Sequence, residues 1–380
     1  MKRQYRFLVL VTDAYGGRGG IAEFNRHMID AMCSWERTAW VVAVPVRAET
    51  FSRQDVLPER LTYPAPRRAG TGRIGFACRL LSAWRRHGPF DAVLCGHLFL
   101  LRSASAVQVF SGAPMAGIIH GIDAWSPPRR LTIRRLVPRL DRFVSVSEFT
   151  RRRFLEWSGL SPQSGTVIPN CVDLQRFTPA PPPADLIDAY GLHRRRVLLT
   201  VARLDADERY KGIDEVLDVM PDLLTEMPEI TYLVVGDGTD LERLRGKARN
   251  MGLNDSVRFA GFVPEERKTD YYRLAHAFVM PGKGEGFGIV YLEAMACGIP
   301  VVASSADASR EAVRNGQLGQ LADPGDPASI RNAIRQALDA PRGERPKGLE
   351  YFSRKAFGQR FHAFLDGWLP NAPQYTQATD

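Results

Sequence analysis

The chain has 380 residues, 44% of them hydrophobic and 24% charged, which fits a globular protein of two ordinary domains and excludes a disordered or fibrous one. Its net charge of +9 is uneven: residues 1–180 carry 26 Lys or Arg against 13 Asp or Glu, and the remainder 25 against 29. The five cysteines (Cys33, Cys78, Cys95, Cys171, Cys297) form no C-x-x-C pair, which argues against a disulfide framework or a zinc site and fits a reducing compartment.

At the start, MKRQYRFLVLVTDAYGG sets basic residues before an apolar run, Phe7 to Val11. That run is shorter than the roughly 7–15 apolar residues of a signal-peptide core, and it reads as a first strand ending in a glycine loop. No stretch approaches the roughly 20 apolar residues of a membrane span, so a cytoplasmic location is expected. After this strand, GGRGG and then IAEFNRHMIDAM (21–32) place Gly16, Gly17, Gly19 and Gly20 before a helix, where backbone can approach an anion. Gly17-x-Gly19-x-x-Ala22 also satisfies a dinucleotide fingerprint, but the acidic residue expected after WVVAV (40–44) is replaced by Pro45-Val46-Arg47. A tight turn without a ligand is the plain alternative.

Further short apolar runs follow at DAVLCG (91–96), MAGIIHG (115–121) and RFVSVS (142–147), with helical spacing between them. Strand–helix alternation of this kind predicts a parallel sheet wound on both faces. The proline-rich FTPAPPPADL (177–186) interrupts it as an extended connector. The alternation then restarts with VLLTVARL (197–204), TYLVVGDG (231–238), VRFAGF (257–262), HAFVMPG (276–282) and PVVAS (300–304). The expected organisation is a domain over 1–180, a second over 181–352, and a helix and tail over 353–380 packing back on the first. Ligands of such sheets sit beyond the carboxyl ends of the strands, so the cleft between the two domains is the expected site.

Arg203 and Lys211 follow a strand end in ARLDADERYKG, where a guanidinium fork and an ammonium suit a diphosphate. A surface ion pair with Asp205, Asp207 or Glu208 is the simpler alternative. In PGKGEGFGIVYLEAMACGIPVVAS (281–304) a strand gives way to a glycine loop and a short helix. Amides after Gly286 and Phe287 then face a phosphate with the helix dipole behind them. Glu285 lies beside that phosphate, and Glu293, two turns into the helix, returns near the same face. One glutamate for each ring of a sugar nucleotide accounts for the spacing; a solvated Glu293 is the alternative.

The pattern E-G-F-G-I-V-Y-L-E-A-M-A-C-G-I-P resembles the E-x7-E signature of family 4 glycosyltransferases, retaining enzymes of the GT-B fold. VARLDADERYKG, VVGDGTDLERL, FAGFVPEER, VSVSEFTRRRF with VIPNCVDLQRF, and GGRGGIAEFNRHM resemble that family's other segments in order, covering nearly the whole chain. The resemblance implies two Rossmann-like doubly wound domains, an acceptor-binding first domain and a donor-binding second one. It implies a nucleotide-diphosphate sugar as donor, GDP- or UDP-linked, with no cofactor and no metal.

Residue by residue, the resemblance gives Arg203 and Lys211 the diphosphate, Glu285 the transferred sugar, and the amides near Gly286, Phe287, Gly288 and Ile289 the distal phosphate. Glu293 takes the ribose and the backbone near Phe262 and Val263 the base. Gly236, in the VVGDG segment, and Gly19 and Gly20, in the first loop, complete the expected donor contacts. His120, at the end of MAGIIH, matches the family's first-domain histidine near the donor sugar and acceptor. The implied route is same-face attack, with the departing phosphate accepting the acceptor's proton. The segment from Arg203 to Lys211 is longer than in many relatives, and Cys171 stands where glycine is often found in the N-G-V-D turn.

Basic segments at 67–88 and 127–142 suggest a membrane-facing first domain, the former pairing Ile74, Cys78, Leu81 and Trp84 with arginines. An ordinary sheet-covering helix with a solvated basic edge is the alternative. The expected acceptor is a glycan or a polyprenyl-diphosphate-linked oligosaccharide at the inner membrane surface. No nucleic-acid-reading motif accompanies the arginines, so nucleic acid is not an expected partner. Mannose is the preferred sugar; a sugar-nucleotide epimerase of the same fold or a non-catalytic glycan- or nucleotide-binding relative are the rival readings.

Overall fold

The computed structural model describes residues 3–47, 57–63 and 72–369, without the side chain of Arg73. Arg67 and Arg68 of the first basic segment, and the tail after 369, lie outside the described residues. The chain forms two compact units, Met1–Asn170 with Arg354–Asp380, and Cys171–Ser353.

In the first unit seven parallel strands are ordered β3-β2-β1-β4-β5-β6-β7. They are β1 (Tyr5–Val11), β2 (Thr38–Pro45), β3 (Leu61–Thr62), β4 (Ala92–Cys95), β5 (Met115–Ile119), β6 (Arg142–Ser145) and β7 (Gly165–Val167). The long apolar runs become the central strands because both their faces are covered; every residue of β5 is buried. The expected strands are present, and β3 and β7 add short edges. Two or three residues carry no periodicity to read.

The helix Arg354–Trp368 lies in this unit and packs on the helix Gly20–Ser34. Phe357, Phe361, Phe364, Leu365 and Trp368 are buried on its inner side. Phe357 meets Phe24 edge-on at 5.4 Å, and His362 Nε2 bonds the Ala31 carbonyl at 2.8 Å. Burying five such side chains contributes on the order of 10 kcal/mol before entropy is subtracted.

The second unit has six parallel strands ordered β10-β9-β8-β11-β12-β13. They are β8 (Arg196–Val201), β9 (Ile230–Val235), β10 (Val257–Gly261), β11 (Ala277–Val279), β12 (Val301–Ser304) and β13 (Gln320–Ala322). Its core gathers Leu198, Val216, Leu217, Met220, Tyr232, Val234, Val279 and Ile334. The proline-rich segment is tied to this unit: Arg273 donates to the Thr178 carbonyl and Arg345 to those of Leu174 and Phe177. The contact boundary accordingly falls at Asn170, ahead of the prolines.

Candidate active site

In each sheet the strand order reverses beside its first strand: between β1 and β4 in one unit, between β8 and β11 in the other. Loops leaving the carboxyl ends of those two strands diverge, and the gap they leave is where open α/β sheets hold ligands. In the second unit the loop after β8 carries Arg203 to Lys211 and the loop after β11 carries Pro281 to Gly288.

These two loops are locked together. Lys211 Nζ lies 2.8 Å from Glu285 Oε2 and 3.8 Å from Glu208 Oε2. Gly212 and Gly282 permit that approach: a Cβ on Gly212 would come within 2.6 Å of Pro281 backbone, and one on Gly282 within 2.4 Å of the Tyr210 carbonyl. Burial alone would depress the Lys211 ammonium, but Glu285, Tyr210 and Glu208 outweigh it and hold the pKa above the usual lysine value. Lys211 therefore stays charged.

Arg203 is exposed, 64% by side chain, and pairs with Glu208 at 3.1 Å and Asp205 at 3.8 Å. Both cations thus rest partly on Glu208, a residue that sequence reasoning entertained only as a surface partner. Gly236 supports this arrangement. At φ 146° its missing Cβ would stand 1.8 Å from the Ala202 carbonyl, so only glycine lets the β9 loop press against the segment bearing Arg203.

Past β11 the Glu285 backbone is gripped from both ends. Asp307 Oδ2 accepts its N–H at 2.8 Å, and its carbonyl accepts from Ala308 N–H at 3.1 Å. Asp307 is fully buried, and that burial pushes its carboxyl up to about 6. Gly288, at φ 84°, precedes the helix Ile289–Ala296, which no side chain caps. Phe287 and Ile289 turn inward, Phe287 onto Phe352, so the chain offers a ligand backbone rather than side chains here. An uncapped amide terminus carries the partial positive charge that anions favour, and the Lys211–Glu285 pair lies just ahead of it.

Glu293 is fully buried, deeper than its sequence suggested. Its carboxylate receives Lys268 Nζ at 2.7 Å and the Tyr272 hydroxyl at 2.5 Å. Sequence reasoning missed Lys268 and Tyr272; the signal available was a lysine and a tyrosine one turn apart on the helix after FVPEER. Phe262 projects from the end of β10 with 53% of its surface exposed, and Val263 follows it half-buried.

Gly19, Gly20 and His120 lie in the first unit. Gly19, at φ 85°, precedes the helix Gly20–Ser34, again without a side-chain cap. Arg26 fixes the preceding loop by donating to the Ala14 and Gly17 carbonyls at 2.8 and 2.9 Å. His120, just past β5, stacks on His97, just past β4, with ring centroids 5.9 Å apart. His120 Nε2 bonds the Gly96 carbonyl at 2.9 Å, and His97 Nε2 lies 3.4 Å from Asp123 Oδ2. Burial lowers both imidazoles to about 4, so both are neutral at physiological pH. His97 and Asp123 were not singled out from the sequence, although CGH and HGID each place them directly after a strand.

Residues 18–176 match the family described as Glycosyltransferase Family 4, and residues 186–356 the one described as Glycosyl transferases group 1. The phosphatidyl-myo-inositol mannosyltransferase of Mycobacterium leprae is 30% identical over 328 residues, 83% of this chain and 83% of that protein. The GDP-mannose-dependent alpha-(1-6)-phosphatidylinositol monomannoside mannosyltransferase of Mycolicibacterium smegmatis is 35% identical over 235 residues, 59% of this chain and 60% of that protein. The Anabaena protein HepE, solved with UDP and glucose, superimposes with a TM-score of 0.72 at 21% identity, over 96% of this chain and all of that one.

Two such sheets, each with its reversal point, give the GT-B fold. Within that fold class the chain belongs to glycosyltransferase family 4, whose members are retaining hexosyltransferases.

Proposed function

We propose that the protein transfers mannose from GDP-mannose to a hydroxyl of a phosphoinositol-type lipid, with retention at the anomeric carbon. The observation that carries this is the Lys211–Glu285 pair beside the open helix terminus at the reversal point of the second sheet. The relatives' names support the sugar and the lipid, and move the acceptor away from the polyprenyl-diphosphate carrier expected from charge alone.

In this reading the donor pyrophosphate settles on the amides of Gly286 to Ile289, with Arg203 and Lys211 taking the charge that grows as the sugar–phosphate bond breaks. Glu285 holds the hexose hydroxyls and orients its anomeric carbon. Glu293, with Lys268, steadies the ribose, and Phe262 and Val263 flank the base. The departing phosphate accepts the proton of the attacking hydroxyl on the same face, so no carboxylate nucleophile is required.

The helix Arg73–His87 supports a membrane-facing first unit. It turns Phe76 and Ala83 into the core and leaves Ile74 82% and Leu81 49% exposed, on the same helix as Arg85 and Arg86. Trp84 instead leans on Phe90, ring centroids 5.9 Å apart, so it serves the core side. No helix among the described residues is long and apolar enough to cross a membrane. Association is therefore proposed to be peripheral, and flotation that ignores anionic lipid would remove this part of the reading.

The test is radiolabel transfer from GDP-mannose or UDP-glucose into phosphatidylinositol vesicles, beside melting curves with GDP and UDP. GDP at about 100 times its dissociation constant should add about 2.7 kcal/mol of stability. A labelled lipid formed from GDP-mannose supports the proposal. Stabilisation by UDP alone, with no mannolipid, overturns it. Conversion of the nucleotide sugar without acceptor would point to an epimerase.

A further inference from the structure

The loop after β11 reads PGKGEGFG, so that Gly282, Gly284, Gly286 and Gly288 alternate with Lys283, Glu285 and Phe287. Glycine brings no backbone preference of its own, and such a loop does not by itself hold Glu285 in one orientation. We infer that Asp307, in the loop after β12, is the positioning residue for Glu285: its ionised carboxylate holds the Glu285 peptide, and with it the side chain that meets the transferred sugar, in the geometry transfer requires. The inference rests on the glycosyl-transfer reading and adds to it the group that sets its central carboxylate.

Geometry is the first support. The two loops leave neighbouring parallel strands, β11 and β12. Asp307 Oδ2 takes the Glu285 N–H at 2.8 Å, and the next residue, Ala308, donates its N–H to the Glu285 carbonyl at 3.1 Å. Two consecutive residues thus bind both ends of one. Lys211 Nζ meets Glu285 Oε2 at 2.8 Å, so the backbone and the side chain of Glu285 are each fixed from a different loop. Asp307 is itself pinned: its Oδ1 accepts the Ser309 N–H at 3.0 Å and the Ser309 hydroxyl at 2.6 Å, while Ser309 Oγ accepts the Ser304 N–H at 3.0 Å. Ser304, Asp307 and Ser309 are all fully buried.

The donor set explains why the charge matters. An ionised carboxylate accepts the Glu285 N–H, the Ser309 N–H and the Ser309 hydroxyl together. A neutral acid must carry a proton on one oxygen. On Oδ2 that proton faces the Glu285 N–H, and on Oδ1 it faces the two Ser309 donors, so the set is broken or the hydroxyl must turn round. Among the described residues no lysine or arginine pairs with Asp307: Lys211 is held by Glu285, Arg310 donates to Asn315, and Arg314 lies over the Tyr351 ring. The other titratable groups facing it are Glu285, which raises it further, and Tyr291, whose phenol burial keeps protonated. The buried charge therefore rests on hydrogen bonds, and burial brings its protonation up to about 6. Acid then acts in two opposite senses: the fold gains as the proton goes on, and Glu285 loses its hold.

Two measurements on the full chain test this. Protein carrying nitrogen-labelled glutamate is titrated by proton–nitrogen NMR, the Glu285 amide being assigned by its loss in Glu285→Gln. That signal should shift with a midpoint near pH 6 in the wild type and stay fixed in Asp307→Asn. Mannose transfer from GDP-mannose is followed across the same window. Wild-type kcat should fall as pH drops below about 6, and Asp307→Asn should lack that acid limb. At neutral pH the variant should turn over about 10–100-fold more slowly, the cost of a misplaced group, with GDP affinity within about threefold of wild type. A Glu285 amide indifferent to pH, wild-type turnover in the variant, or GDP affinity falling as steeply as kcat overturns the inference. If the wild type transfers no mannose, the transfer reading has failed on its own account, and the amide titration still decides whether Asp307 governs Glu285.

Discussion

Lys211 and Glu285, 74 residues apart in the chain, meet at 2.8 Å across the two loops that leave β8 and β11. Their contact joins the two halves of the second sheet at its reversal point. Lys211→Ala should cut turnover about 10²–10³-fold, the cost of removing one donor aimed at developing charge. Steady-state GDP release measures it. A variant within threefold of wild type would show that the lysine serves only to hold Glu285.

Glu208 pairs with Arg203 and also stands near Lys211, so a pyrophosphate held as proposed would compete with it. Glu208→Gln should tighten GDP binding severalfold, since about 1 kcal/mol of competing ion pairing is lost. Calorimetry at two salt concentrations checks this. Weaker binding would mean that Glu208 organises the cations rather than masking them.

Asp307 yields a pH dependence whose sign is fixed by its raised pKa. The folded protein takes up this proton near pH 6, the unfolded chain only near pH 4, so acidification through that window adds stability from this group. Above it the buried charge counts against the fold. Relative to wild type, Asp307→Asn should therefore gain up to roughly 3 kcal/mol as pH rises from about 4 to neutral, set against a pH-independent loss because an amide has one acceptor oxygen where the carboxylate has two, taking the Glu285 and Ser309 N–H groups. Urea unfolding across pH measures the difference. A pH-independent difference would contradict it.

Lys268 and Glu293 form a pair whose acidic member is fully buried. Lys268→Met leaves that carboxylate with Tyr272 and should cost about 3–5 kcal/mol. Adding Glu293→Gln should recover part of the loss, giving a favourable coupling of at least about 1 kcal/mol in a double-mutant cycle. Additive losses would show that the two side chains act independently.

The fold was legible because its central strands are apolar on both faces and read as unbroken runs, as MAGII does. The edges β3, β7 and β13 were not, since so few residues show no period. Glu285, Glu293, Arg203 and Lys211 could be named from their position after strands. Their partners could not. Asp307 reaches Glu285 from the loop after β12, and His97 and Asp123 come from separate strands, so each pairing exists only once the sheet has set its strand order. Gly236 was visible as a glycine in a loop; that its backbone lies against Ala202 depends on where the neighbouring chain runs.

The helix Arg354–Trp368 completes the first unit although everything from Cys171 to Ser353 is synthesised between them. Until that helix leaves the ribosome, the surface around Phe24 that meets Phe357 has no cover. The nascent first unit must therefore wait, greasy on one side, while its companion folds from a segment whose entry and exit already lie together, the Val172 N–H bonded to the Phe352 carbonyl at 2.9 Å. The inserted unit is the one that can mature during translation; the outer one is finished only when the helix Arg354–Trp368 emerges.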